Sequence, residues 1–217
     1  MRLVTLGVGA QNSPRHRPAG LLVASGGARV MIDGGPGAVP RGRLDAWLVT
    51  DERAELIGAI RKLARAKGLR PYAGTFRHDR LRIERRRVVH TNHPTYAYRI
   101  HTAGRTVVWA PEFYRFPRWA RRTDVVFAEG AAWNRPIRFV GGVGGHLDVL
   151  STATQARRLG VKRLVFAHLG RPTLRALARG HEPPFGEVAD DGQAFRVARR
   201  PSRPRRARAL GDGRRSR

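Results

Sequence analysis

The sequence contains no cysteine in 217 residues, which excludes disulfides and thiolate metal sites alike. Any metal or catalytic chemistry must therefore rest on nitrogen and oxygen donors. No apolar run approaches the roughly 20 residues that cross a bilayer as a helix. The opening, MRLVTLGVGAQNSPRHRP, reads as a strand and a loop rather than a secretory leader. A cytoplasmic protein without a membrane segment is expected. Acidic residues are scarce, 16 against 43 basic ones, for a formal net charge of +27. Lysine is scarcer still: Lys62, Lys67 and Lys162 are the only ones, so nearly all the positive charge is arginine. Arg, Ala, Gly and Pro are abundant together, as a GC-rich coding sequence would make them. Selection for a polyanionic partner would produce the same arginine excess. On either origin the charge attracts nucleic acid or phosphorylated molecules without conferring specificity.

What is present is a series of short apolar runs between turn signals. RLVTL (2–6), GLLVAS (20–25) and ARVMID (28–33) read as consecutive strands of a meander, and DAWLVT (45–50) as another strand. Residues 52–67 carry Leu56, Ile60, Leu63 and Ala64 at helical spacing, with Gly68 as a stop. Strands are expected near 87–91, 96–102, 105–110 and 124–128, and a second helix over 147–159. KRLVFAH is then a buried strand ending at His168, and a third helix starts near Pro172. The length fits one domain, taken as 1–197. The stretch 198–217 has no apolar periodicity and repels itself, which predicts a disordered Arg-rich tail.

Several polar residues stand where these elements end. Asp33 precedes two glycines; it either forms an Asx-turn or orients a neighbouring loop, and the two roles are compatible. In GGVGGHLDVL, four glycines lead to His146 near a helix start, a place where exposed N–H groups favour an anion. His146 there could donate a proton to a leaving oxygen, or be no more than a loop histidine. His168 closes an apolar strand, and sites gather at such strand ends. His90 and His93 lie three apart, so a regular strand would point them to opposite faces. Glu112 follows a strand and precedes Phe113, Tyr114, Phe116 and Trp119, aromatics that either stack a base or pack a core.

Taken in order, LGVGAQNSP, VMIDGGPG, LDAWLVTDERAEL, HTNHPTYAYRI, VVWAPE, DVVFAEGAAW, GGHLDVLSTATQARRLGVKRLVFAHLGRPT and FGEVADDGQAFRV resemble the metallo-β-lactamase superfamily. The nearest branches are the tRNA 3′-end-processing endonucleases and the cyclic ribose phosphate phosphodiesterases. The resemblance spans about 1–197. It implies an α/β fold, a four-layer αββα sandwich of metallo-β-lactamase type, with the site at one edge of two sheets. The superfamily's Thr-His-x-His-x-Asp-His motif falls on Thr50–Leu56. Asp51 and Arg53 take the first two histidine places, Glu55 the aspartate place and Leu56 the last histidine place. His90 or His93 falls in the third ligand region, Glu112 at the bridging carboxylate, and His168 at the final ligand. His146 matches a catalytic histidine of the nuclease branch, and Glu129 an acid beside the site.

The usual two-zinc site needs imidazoles and a bridging carboxylate. Leu56 cannot ligate, and Arg53 is a permanent cation that repels a metal. Asp51 with Glu52 also suits an N-cap and first helical turn, and Glu55 could pair with Arg53 or with a neighbouring strand. Asp51, Glu55, His90 or His93, Glu112 and His168 remain as metal ligands for one divalent ion, zinc, manganese or iron. His146 and Arg53 then serve as proton donor and phosphoryl-oxygen neutraliser. The expected activity is hydrolysis of a phosphodiester or related ester, on a phosphorylated small molecule or a nucleic acid. The alternative is a metal-free, inactive relative in which Arg53 replaces the metal charge, pairs with Glu112 or Glu55, and the pocket binds an anion or nucleic acid.

Overall fold

The computed structural model describes residues 1–102 and 104–198. The expected basic tail therefore lies, apart from Ala198, outside the described residues. In chain order the elements are β1 (Arg2–Gly7), β2 (Gly20–Ser25), β3 (Ala28–Asp33), β4 (Ala46–Leu48), α1 (Ile57–Arg65), β5 (Phe76–His78), β6 (Leu81–Val88) and β7 (Thr95–Thr102). There follow β8 (Arg105–Ala110), β9 (Val125–Gly130), β10 (Ile137–Arg138), β11 (Gly145–His146), α2 (Val149–Arg158), β12 (Leu164–Leu169), α3 (Arg171–Ala178), β13 (Glu187–Val188) and β14 (Ala194–Arg196).

They build two main sheets, ordered β14-β1-β2-β3-β4 and β13-β12-β9-β8-β7-β6-β5, and a small β10–β11 hairpin. The first three strands are the expected antiparallel meander. Period-two alternation on these strands sorts side chains between two layers. Leu21, Val23, Val30, Ile32, Ala46 and Leu48 face the core between the sheets. Leu22, Met31 and Trp47 face the other way, where Ile60 and Ala64 of α1 cover them. In the second sheet β8, β9 and β12 run parallel, and α2 packs against β9 and β12. Parallel strands covered on both faces read as continuous apolar runs, which explains VVFA and LVFA. The result is the expected αββα layering.

Three local expectations fail. The helix starts at Ile57, five residues later than its apolar spacing suggests, with Leu56 at the N-cap and no acidic side chain in its first turn. Asp51 and Glu52 therefore do not cap it; Asp51 Oδ1 instead accepts from Arg53 N at 2.7 Å and closes a turn. The strand expected at 87–91 is the end of β6, which pairs with β7 along Leu81–Val88 despite its run of arginines. Residues 89–94 are irregular. Finally, α2 is N-capped by Asp148, whose Oδ1 accepts from Ser151 N at 2.8 Å, so a carboxylate already occupies the place where an anion was expected. The short strands β13 and β14 carry too few residues for a period to show. Among the described residues no helix is long and apolar enough to cross a membrane.

Candidate active site

The C-terminal ends of β4, β8, β9 and β12 deliver Thr50–Asp51, Glu112, Glu129 and His168 to one edge of the molecule, as open α/β sheets commonly do. A pocket of about 440 Å³ opens there, and Asp51, Arg53, His90, His93, Glu112, His146 and His168 all line it. Every residue expected at the site reaches the same cavity.

His168 is brought in by a distortion. Between Phe166 and Leu169, β12 carries one more residue than the facing stretch of β9, and His168 sits at φ +63°. A bulge with a left-handed non-glycine residue re-aims a side chain at a cost of order 1–3 kcal/mol. The conformation is pinned by the loop that follows β1, where Leu169 N donates to Val8 O at 2.6 Å and Ala10 N to Leu169 O at 3.1 Å. Asp33 repeats the device at φ +55°. Its Oδ1 accepts from Thr50 N (2.7 Å) and Thr50 Oγ1 (2.9 Å), and its Oδ2 from Trp109 Nε1 (2.7 Å). It thus orients the loop that carries Asp51 and clamps the end of β4 to β8. Burial pushes the Asp33 carboxyl up to about 7, against the pull of the bonds from Trp109 and Thr50.

Glu129 is the hub behind the pocket, and its side chain is 0% exposed. Oε1 accepts from Ala131 N (2.9 Å) and pairs with His168 Nδ1 (3.1 Å); Oε2 accepts from Phe113 N (3.2 Å) and pairs with His146 Nδ1 (2.8 Å). All four of its acceptor positions are used, so the Glu129–His146–His168 cluster is a clamp rather than a cation cage. Burial alone would raise the Glu129 carboxyl, but the two histidines hold it down to about 2. The sequence marked Glu129 only as an acid beside the site. Nothing in its local pattern, an acid inside an apolar strand, shows that it holds two histidines.

His90 obeys the same rule with another partner. Its Nδ1 lies 2.9 Å from Gly145 O, a carbonyl that can only accept, so Nδ1 carries the proton. His90 Nε2 then lies 3.8 Å from Glu112 Oε1, and His168 Nε2 lies 3.1 Å from the same oxygen. Burial disfavours a charged His168, but Glu112 and Glu129 overrule it and raise the imidazole to about 10. Burial likewise acts to raise Glu112, and His168 above all, then His90 and His146, hold it well below the usual carboxylate range. The glycines before His146 make this packing possible. A Cβ on Gly144 would lie 1.9 Å from His90 O, and one on Gly145 1.8 Å from Ile137 O. They serve close backbone approach, not a phosphate cradle.

His93 also faces the pocket, because the chain around it is irregular and alternation does not apply. Its Nε2 meets Asp51 Oδ2 at 2.8 Å and Oδ1 at 3.0 Å, while Nδ1 meets Asn92 Oδ1 at 3.2 Å. Asp51 and His93 thus satisfy each other. Arg53 is exposed at the pocket mouth and, among the described residues, pairs with neither Glu112 nor Glu55. The arginine ion pair that the metal-free alternative calls for is not formed. Phe113 and Phe116 are buried against each other at 5.5 Å, so these aromatics are core and not a base-stacking platform.

The imidazole nitrogens of His168 and His90 converge on one oxygen of Glu112. With metal–ligand bonds of ~2.1 Å, neighbouring donors in a tetrahedral site lie ~3.4 Å apart. The 3.1 and 3.8 Å separations around Glu112 Oε1 bracket that spacing, but His90, Glu112 and His168 do not bring three donors mutually within 4.8 Å, so one ion on all three requires the side chains to draw together. Leu56 and Arg53 offer no second set of ligands.

Comparison with known proteins identifies the fold. No family model matches the sequence, and no curated protein matches it significantly. Solved structures do match. The metallo-β-lactamase fold protein YhfI from Bacillus subtilis superposes with a TM-score of 0.69 at 18% identity, over 90% of this chain and 99% of that one. A diphosphatase of the PhnP family gives 0.70 at 17% identity, over 91% and 98%. The short form of human tRNase Z gives 0.66 at 14% identity, over 91% and 100%. The chain has the metallo-β-lactamase fold.

Proposed function

We propose, from a metallo-β-lactamase fold that keeps one half of its polar pocket, that the chain is a hydrolase of phosphate esters using a single divalent cation. One observation carries the reading. His90, His146 and His168 each direct Nδ1 to a protein acceptor, Gly145 O or Glu129, which leaves Nε2 as the ring atom for the pocket. Fixing one ring nitrogen in this way is how proteins prepare the other as a ligand or proton carrier. Glu112, His168 and His90 would hold the ion, which suits zinc, manganese or iron. When bound, such a cation supplies Lewis acidity and lowers the pKa of a water molecule.

The remaining roles belong to the chain itself. His146, held by Glu129 through Nδ1, protonates the leaving oxygen from Nε2 when its ring carries a second proton there as an imidazolium, and is left as the neutral Nδ1–H ring. Arg53 and Arg171, both exposed on the pocket wall, neutralise the phosphoryl oxygens. Asp51 holds His93, which narrows the side of the pocket where a second ion would otherwise need ligands. Phosphoesters as substrates, small or polymeric, agree with the excess of arginine, and the PhnP-family neighbour, a diphosphatase, likewise acts on a phosphoryl group.

The test is elemental analysis of protein purified without added metal and after reconstitution with zinc, manganese or iron. It is coupled to hydrolysis of bis(p-nitrophenyl) phosphate. About one ion per chain, lost in His168→Ala, is expected. Two ions per chain would overturn the single-ion reading. No bound ion and no turnover would leave the metal-free anion-binding reading in its place.

A further inference from the structure

A second concave surface lies beside α1. A groove of about 930 Å³ is lined by Glu52, Arg61, Arg65, Leu69, Arg70 and Tyr72. It is continuous in sequence with the catalytic edge, since Glu52 stands between Asp51 and Arg53 of the pocket wall. We propose that this groove binds a single-stranded nucleic acid, its phosphates on Arg61, Arg65 and Arg70 and a base on Tyr72. The strand would continue away from the ester held in the pocket. The inference rests on the phosphoesterase reading for its direction, but not for its binding.

Arginine is abundant everywhere in this chain, so charge alone selects no surface. Three features distinguish the groove. The first is the aromatic. Tyr72 is 38% exposed, one of few large apolar side chains at the surface. Its backbone is fixed beside β4, with Tyr72 N donating to Trp47 O and Val49 N to Tyr72 O, each at 3.2 Å. The second is what lies against its ring. A Cβ on Gly74 would fall 2.4 Å from Tyr72 Cε2 and 2.5 Å from Cδ2, so the ring rests on glycine backbone at a distance no other residue permits. A rigid ring backed by the main chain and open to a groove is a stacking platform, and stacking tolerates any base. The third is an excess of positive charge. Arg61 and Arg65 are four apart on α1, a like-charge spacing that disfavours the helix. All three arginines are exposed and, among the described residues, none forms an ion pair. One carboxylate, Glu52, also lines the groove and offsets one of these charges; its Oε1 is held by Ala73 N at 3.2 Å.

The experiment is fluorescence anisotropy of the full chain with a labelled 12-nucleotide single strand and its duplex, across a salt series. The triple variant Arg61→Gln, Arg65→Gln, Arg70→Gln should flatten the dependence of log K on log salt by about 2, at about 0.7 per phosphate contact. Tyr72→Ala should weaken single-strand binding about tenfold, and Tyr72→Phe should not. A control triple, Arg118→Gln, Arg121→Gln, Arg158→Gln, removes three exposed charges elsewhere and should change little. Equal losses in the two triples would overturn the proposal, as would unchanged binding in Tyr72→Ala or equal affinity for duplex. Thermal melting of each variant confirms that it is folded. Localised binding with no ester hydrolysis would sustain the groove and remove the enzyme; hydrolysis without localised binding would do the reverse.

Discussion

Replacing Glu129 by glutamine tests the polar architecture most directly. The carboxylate accepts two bonds on each oxygen, one from a backbone N–H and one from a histidine Nδ1. Glutamine turns one oxygen into an NH2 group. Whichever way the amide is placed, Phe113 N–H or Ala131 N–H then faces a donor. A buried N–H left unpaired costs about 1–3 kcal/mol, and the charge assistance to both histidines is also lost. The histidine on that side can answer only by changing tautomer, which moves its proton to Nε2 and, for His168, removes the lone pair that the proposed ligand role needs. We expect Glu129→Gln to lose about 2–4 kcal/mol in urea denaturation of the chelator-treated protein. Metal affinity should fall about 10- to 100-fold, as for other loss of support behind a ligand. The pH dependence sharpens the test. The folded carboxyl lies at about 2 against an ordinary 4.5, so its stabilisation is present above pH 4.5 and is lost as pH falls toward 2. The wild type should therefore lose up to about 3 kcal/mol more than the variant across that window. A variant within about 0.5 kcal/mol of wild type, with unchanged metal content, would refute the claim that Glu129 holds the site together.

Two further outcomes follow from the same geometry. His168 has its folded pKa raised to about 10 from 6.5, so its stabilisation is full below pH 6.5 and fades as pH rises through 10. In chelator-treated protein, denaturation from pH 6 to 10 should show a decline of at most about 5 kcal/mol, absent in His168→Gln. Gly145→Ala should unseat the hairpin that carries His146, because the new Cβ would meet Ile137 O at 1.8 Å at a backbone φ of +146°. Ester hydrolysis and melting temperature should both fall. Gly142→Ala, with nothing within 4 Å, should cost only the ~1–2 kcal/mol of a left-handed residue and keep activity.

The loop at residues 50–56 illustrates what a motif can and cannot convey. Its residue types rule out the usual histidine ligands on chemistry alone, and the structure adds no replacement there. Where those side chains go was not legible. Asp51 looked like a helix cap because acids before an apolar period usually are, yet the helix waits until Ile57 and Asp51 turns to His93. The two residues lie 42 apart, and their pairing depends on an irregular stretch that no periodicity describes.

The sequence by itself determined the layers: apolar alternation placed the strands of the meander, continuous apolar runs placed the buried parallel strands, and the absence of cysteine limited the site to imidazole and carboxylate. Those features are local, and local sterics and burial enforce them wherever the segment sits. Tertiary structure alone decided the site's connections. The bulge that aims His168, the four-way saturation of Glu129 and the pairing of Asp51 with His93 each join segments far apart or strained. Their energies come from contacts that exist only once both sheets have closed.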